Sequence, residues 1–219
     1  MNYLQELVHQ LDYAAMCRAA LRVLSVLLCL SIHETCHGIA AYALGDPTAK
    51  RQHRLSLNPL RHIDWFGLLL MFTVGFGWAK PVPVDPRYFK NPKRGMAVTA
   101  LAGPVSNLLF AVLLMLLGRG IDRHIAYTDG WNTVFQFLIS TAVLSIGLGL
   151  FNLIPIPPLD GSKVLAAFFP DRVYAAWMRY ERYGMLPLLV LSLTDIGGGL
   201  INRGIIAVYT FLSQWILFS

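Results

Sequence analysis

This chain is short of charge. Only 14% of its 219 residues are Asp, Glu, Lys or Arg, while 56% are hydrophobic, and mean hydropathy is +0.54. A water-soluble domain of this length rarely manages with so few charges. Glutamate is the scarcest of them, occurring at Glu6, Glu34 and Glu181. Cysteine is scarce too. Cys17, Cys29 and Cys36 lie in or beside one apolar run, an odd number without an extracellular framework, so no structural disulfide is expected. No polar block exceeds about 30 residues, short of the ~50 that a separate soluble domain needs. A basic leader followed by a short apolar stretch is also missing. The N-terminal residues up to Cys17 are weakly amphipathic and include Glu6 and Asp12, so no cleavable signal peptide is expected. There is no internal repeat and no low-complexity segment.

What the chain has is apolar runs, at 19–44, 65–78, 95–117, 131–153, 183–193 and 199–218. Several approach the ~20 residues a helix needs to cross a bilayer core. The expected fold is an all-α polytopic membrane protein, a single domain over 1–219. It should contain about five transmembrane helices plus a re-entrant or β-hairpin segment around 65–85.

The net charge of +6 comes from short basic clusters between these runs. That pattern sets membrane orientation and gives no reason to expect nucleic acid. The second run, WFGLLLMFTVGFGW, decides the topology. As a helix its 14 residues would span roughly 21 Å, against ~30 Å of hydrocarbon. Lys50, Arg51, Arg54 and Arg61 precede it; Lys80, Arg87, Lys90, Lys93 and Arg94 follow it. A crossing run would put two strongly basic loops on opposite sides. The run is therefore expected to dip in and return, with both loops cytoplasmic, the N-terminus outside and the C-terminus inside. Re-entrant backbone needs protein or a wet cavity around it. The segment after it, GWAKPVPVDP, alternates Val82 and Val84 with Pro81 and Pro83. Proline excludes a central strand but permits an edge strand, and an extended linker fits equally well.

The stretch SIHETCHGIA, at the end of the first run, puts two imidazoles and a carboxylate among hydrocarbon. His33-Glu34-Thr35-Cys36-His37 has the form H-E-x-x-H. Positions i and i+4 of a helix share a face, so His33 and His37 can hold one Zn²⁺ together. Glu34 lies roughly 80° around the helix from them, placed to reach a metal-bound water rather than the metal. Two core histidines hydrogen-bonded to neighbouring helices are the plainer explanation. Three ionisable groups within five residues of a spanning segment speak against it, because each is costly there unless paired or functional.

A catalytic zinc takes a third protein ligand and keeps one open position. His9 and His124 fall on the wrong side by the topology above; His53 and His62 lie in the basic loop. The fourth run travels in the same direction as the first and ends in Asn152-Leu-Ile-Pro-Ile-Pro-Pro-Leu-Asp160-Gly161. Pro155, Pro157 and Pro158 break the helix, and the irregular backbone can carry Asp160 to the metal. Asp160 could also cap a helix over 162–169. Cys36 shares the helical turn of both histidines, where a third ligand would be strained, so it is expected to pack.

With these pieces in place the chain resembles the site-2-type intramembrane zinc metalloproteases, in the compact prokaryotic branch without a PDZ domain. The likeness rests on HETCH at 33–37, AGPVSN at 102–107, NLIPIPPLDG at 152–161 and the segment NPLRHID…GFGWAKPVPVDPRYFKNPKRG between 58 and 95. It implies His33, His37 and Asp160 as ligands of one Zn²⁺ per chain and Glu34 as the group that activates water. It further implies Asn152 as a stabiliser of the oxyanion or of substrate orientation, and Asn107 as a residue lining the site. Gly75–Val84 would belong to a membrane-associated β-hairpin. Separately, the Pro-Val alternation suggests that an edge strand at 80–85 receives an unwound substrate segment, with Val82 and Val84 meeting it. The implied activity is hydrolysis of peptide bonds in or near transmembrane segments of protein substrates, in a prokaryotic inner membrane. The competing class is a zinc-transporting or zinc-sensing membrane protein built on the same His/His/Asp cluster. Glu34 separates the two, because a transporter needs no general base on the ligand turn.

Overall fold

The computed structural model describes residues 12–67, 69, 79–124, 128–184, 188 and 195–217. Its framework is three long helices, α1 (Tyr13–Ala43), α3 (Pro92–His124) and α4 (Asp129–Asn152). A single turn, α2 (Thr48–Arg51), follows α1. After α4 come the short α5 (Asp160–Ala166) and α6 (Asp171–Tyr180), then α7 (Asp195–Ile216). Local chemistry sets the ends. Asp12 accepts from the Ala15 N–H at 2.9 Å and starts α1. Gly45, at φ +107°, turns the chain away after Leu44. Asn91 accepts from the Arg94 N–H at 3.1 Å, and Pro92 opens α3 as its first residue.

α1, α3 and α4 are long and apolar enough to cross a membrane. Their outward faces carry exposed Leu24, Ile39, Leu101, Leu109 and Leu113. In water such faces would be large apolar patches; against lipid they are the proper solvent. Inward, Ala111, Leu114 and Met115 of α3 pack on Ala142 and Ile146 of α4 and on Ile216 of α7. Lipid is as apolar as these side chains, so close packing rather than transfer from water holds them.

The expectation of about five spanning helices with a hairpin is met only in its coarser part. Among the described residues the protein is helical without a strand, and three helices qualify as spans. α7 covers the sixth run, but Asn202, Arg203 and Gln214 dilute its apolar character. Most of the second and fifth runs, at 68, 70–78, 185–187 and 189–194, lies outside the described residues. Residues 79–85 lie in neither helix nor paired strand among the described residues.

That segment is a strap, tied down along its length. The Lys80 N–H donates to His62 O at 2.9 Å. Arg54 Nη2 donates to Lys80 O at 2.7 Å and Pro81 O at 3.2 Å. The Asp85 N–H donates to Asp46 Oδ2 at 2.7 Å. Asp46 is fully buried and its other oxygen caps α2 through the Thr48 N–H. Hydrogen bonds from the Arg87 guanidinium hold the Asp85 carboxyl below the usual carboxylate range at the strap's end. Prolines 81 and 83 bring no N–H donors, and of the others those of Lys80, Val82 and Asp85 are bonded.

Candidate metal centre

α1 brings His33 and His37 to one face, one turn apart, with ring centroids 4.5 Å from each other. Asp160, the first residue of α5, meets both. Its Oδ2 lies 3.0 Å from His33 Nε2 and 3.2 Å from His37 Nε2. All three residues are buried. The prolines after Asn152 end α4, and the chain folds back so tightly that a Cβ at Gly161 would sit 2.1 Å from Leu153 O. Glycine beside Asp160 is what permits the return. The Asp160 side chain makes no cap to α5, whose N-cap is Leu159, so the carboxylate belongs to the imidazoles.

The donor set, two imidazoles and one carboxylate, is that of a catalytic zinc with a fourth position open. Donors on a tetrahedral zinc stand about 3.3 Å apart, given bond lengths near 2.0–2.1 Å. The observed 3.0 and 3.2 Å are close to that spacing. The groups behind the ligands fit as well. His37 Nδ1 lies 2.7 Å from Thr99 O, which can only accept, so Nδ1 carries the proton and Nε2 is free to bind metal. His33 Nδ1 lies 3.2 Å from Asn107 Nδ2, while Asn107 Oδ1 is buried without a partner among the described residues. Oxygen and nitrogen of an amide exchange places by a half-turn. With Oδ1 toward the ring, the orphaned acceptor takes the Nδ1 proton that a His33 ligating through Nε2 must carry. The residues therefore fit a zinc ion.

Gly103 explains how α3 comes so near. A Cβ there would lie 2.4 Å from His37 Cε1 and 2.6 Å from His33 Cε1. The next residue, Pro104, has no N–H to return to the Ala100 carbonyl, which loosens this turn of α3 beside the site.

A cavity of about 250 Å³ opens on the triad. Glu34, Val82, Val84 and Asn152 all line it. Glu34 Oε2 accepts the Val82 N–H at 2.9 Å, so the strap fixes one carboxylate oxygen. Asn152 commits one amide hydrogen to Leu148 O at 3.0 Å and keeps a second. Asn107 stands elsewhere than expected. It is fully buried behind His33 and is no part of the cavity wall, because α3 turns it toward the ring's far nitrogen. His62 Nε2 donates to Ser56 O, 2.7 Å away, and stays apart from the triad. The three cysteines are free, and Cys36 is half-buried.

Sequence reasoning missed Thr99, Gly103 and Lys163. The first two follow a rule visible in the chain: Thr99, Gly103 and Asn107 recur every fourth residue and form one stripe of α3 facing the histidines. Lys163 lines the cavity one turn after Asp160, its Nζ 3.3 Å from Glu181 Oε1.

Comparison with known proteins agrees with this chemistry. The profile of peptidase family M50 matches residues 121–186, the part that carries Asp160. A Bacillus subtilis (strain 168) protein named "Putative zinc metalloprotease YwhC" is 39% identical over 180 residues, 80% of this chain and 81% of its own length. Rip2 of Mycolicibacterium smegmatis, also named a zinc metalloprotease in that form, is 29% identical over 77% of this chain and 64% of its own. "Zinc metalloprotease MJ0392" of Methanocaldococcus jannaschii is 31% identical over 38% of this chain and 22% of its own. No solved structure matches the chain. On these likenesses the chain belongs to peptidase family M50, the site-2 protease family, and is a membrane-embedded zinc metalloprotease.

Proposed function

We propose that this protein is an intramembrane protease, hydrolysing peptide bonds in or near the transmembrane segments of other membrane proteins. One observation carries the reading. A metal-ligating triad with a carboxylate beside it is buried between helices that are themselves long and apolar enough to span a bilayer. Zinc held by His33, His37 and Asp160 supplies a Lewis acid and brings the pKa of water to about 7.

The chain's own groups do the rest. Glu34 Oε2 is held by the Val82 N–H, which leaves Oε1 to take a proton from the attacking water and return it to the leaving amine. The second amide hydrogen of Asn152 is available to the oxygen that gains charge. Substrate must unwind before its carbonyls can react. Val82 and Val84 line the cavity, and the Val82 C=O and the Val84 N–H have no partner among the described residues. They are free to pair with an unwound substrate strand. The distribution of Lys and Arg favours an N-terminus outside and a C-terminus in the cytoplasm, in a prokaryotic inner membrane.

The test is a purified preparation in detergent, assayed for zinc per chain and for cleavage of single-span membrane proteins. Wild type should hold one zinc and cleave. Glu34→Gln should keep the metal and lose cleavage by about 10³-fold or more. Val84→Pro should keep the metal and cleave helical substrates poorly while still cutting an unstructured peptide. Zinc flux into proteoliposomes without any cleavage would establish the transporter instead.

A further inference from the structure

We propose that Thr99 is a catalytic residue of this hydrolysis, its hydroxyl donating a hydrogen bond to the scissile carbonyl oxygen as that oxygen gains charge. The inference rests on the protease reading above.

Other buried hydroxyls of the described residues find a partner within the protein. Ser31 bonds to Leu27 O, Thr141 to Phe137 O and Ser162 to Leu159 O, while Thr35 reaches Ser56 O, Ser145 reaches Asn107 O and Ser25 meets Thr141. A helical hydroxyl always has its own i−4 or i−3 carbonyl within reach, so an open one is unusual. Thr99 breaks the pattern. It is 3% exposed, and its Oγ1 is buried with no hydrogen-bond partner among the described residues. A native fold leaves such a group open rarely, and with a reason that needs finding.

Position supplies the reason. The Thr99 carbonyl takes the His37 Nδ1 proton at 2.7 Å, so the residue stands directly behind a ligand. Thr99 also lines the cavity that holds Glu34. The other side-chain donors there each hold a bond already: Asn152 gives one of its two amide hydrogens to Leu148 O and keeps the second, and the Lys163 ammonium faces Glu181. Among the described residues of the wall, Thr99 brings a hydroxyl free of prior commitments. A donor in that condition gains fully when charge appears and gives up no earlier bond.

The step balances without new chemistry. Water adds to the carbonyl carbon, and the C=O π pair moves onto oxygen, where the hydroxyl hydrogen meets it. When the C–N bond breaks and the carbonyl re-forms, that hydrogen bond weakens. Thr99 keeps its proton throughout, and Glu34 carries the one transferred.

Thr99→Val removes the hydroxyl and keeps the shape. It also removes a buried group without a partner, so it should stabilise the protein. The experiment compares wild type, Thr99→Val and Thr99→Ser in detergent. It measures zinc content, Tm, cleavage of a fluorogenic unstructured peptide, and binding of that peptide's tetrahedral phosphonamidate analogue. For Thr99→Val the expected result is normal zinc, a Tm raised by about 2–4 °C, unchanged KM, and kcat lowered by about 10–100-fold. Phosphonamidate affinity should fall by the same factor as kcat. Thr99→Ser should recover most of kcat. A Thr99→Val protein with wild-type kcat overturns the proposal. So does one in which zinc content and KM suffer as much as kcat, because Thr99 would then be structural. A wild type that neither cleaves the peptide nor binds the phosphonamidate overturns the protease reading, and this inference with it.

Discussion

The two halves of the interface between α1, α3 and α4 both bury polar side chains, and they treat them in opposite ways. In the half away from the metal, every group is closed. Thr141 gives its proton to Phe137 O and so receives one from Ser25 Oγ, 2.7 Å away. Cys29 Sγ lies 3.8 Å from Thr141 O, and Ser145 Oγ donates to Asn107 O at 2.8 Å. In the metal half, Asn107 Oδ1 and Thr99 Oγ1 are left open. Both halves lie on the same stripes: Ser25, Cys29, His33, His37 and Ala41 recur every fourth residue of α1, as do Thr99, Gly103, Asn107, Ala111 and Met115 of α3. Burial is therefore common to both. A polar group that only joins helices finds its partner within the protein, whereas one that handles a ligand keeps a bond in reserve.

The harshest way to break the contrast is Gly103→Ala. The added methyl would overlap both imidazoles, at 2.4–2.6 Å from their ring atoms. Asp160, Thr99 and Asn107 hold those rings, so they cannot turn aside and still ligate. Zinc affinity should fall by more than about 100-fold, the scale on which displaced ligand supports act. Equilibrium dialysis against a zinc buffer measures it. Affinity within a few-fold of wild type would mean that the rings move freely and that the close approach of α3 is incidental.

How much of this was legible beforehand depended on distance along the chain. The histidine pair and Glu34 are read from five consecutive residues, because one helical turn fixes their relation. Asp160 was reachable because three prolines mark where the fourth run must stop being a helix. Pro-Val alternation argued against a helix at 79–85, and none is there, but its ties to Glu34, Asp46 and Arg54 are tertiary and could not be read. The face of α3 was harder. In a soluble helix the apolar stripe tells which side turns inward. A spanning helix is apolar all round, so Asn107 could be assigned to the site but not to the back of His33. Thr99 and Gly103 went unread for the same reason, although their spacing from Asn107 was visible.

Asn107 offers a sharper test than Gly103, because the size of its effect should follow the chemistry of the replacement. Asn107→Leu removes the acceptor proposed for His33 Nδ1–H and should weaken zinc by about 10–100-fold. Asn107→Asp restores an acceptor, so affinity should return toward wild type or exceed it. ¹⁵N chemical shifts of the imidazoles should show His33 protonated at Nδ1 in wild type and in the Asp variant. If Leu and Asp weaken zinc equally, the amide acts by filling space, and the open oxygen has no part in ligation.

The smallest effect should come from the closed half. Ser25 lies two turns from His33 on the same stripe of α1, and its hydroxyl bonds Thr141 rather than anything near the metal. Ser25→Ala deletes one hydrogen bond between helices, worth about 0.6 kcal/mol in membrane proteins. Thr141 keeps its bond to Phe137 O, so no buried donor is orphaned. Stability in a denaturant series should drop by about that amount, with zinc affinity and kcat/KM within two-fold of wild type. The result matters because each half has its own chain of polar contacts, Ser25 with Thr141 in one and Ser145 with Asn107 and His33 in the other. Were Ser25→Ala to weaken zinc as Asn107→Leu should, strain would pass from the first chain to the ligand. The two halves would then be one polar network, and closed bonds would be as much part of the metal centre as open ones.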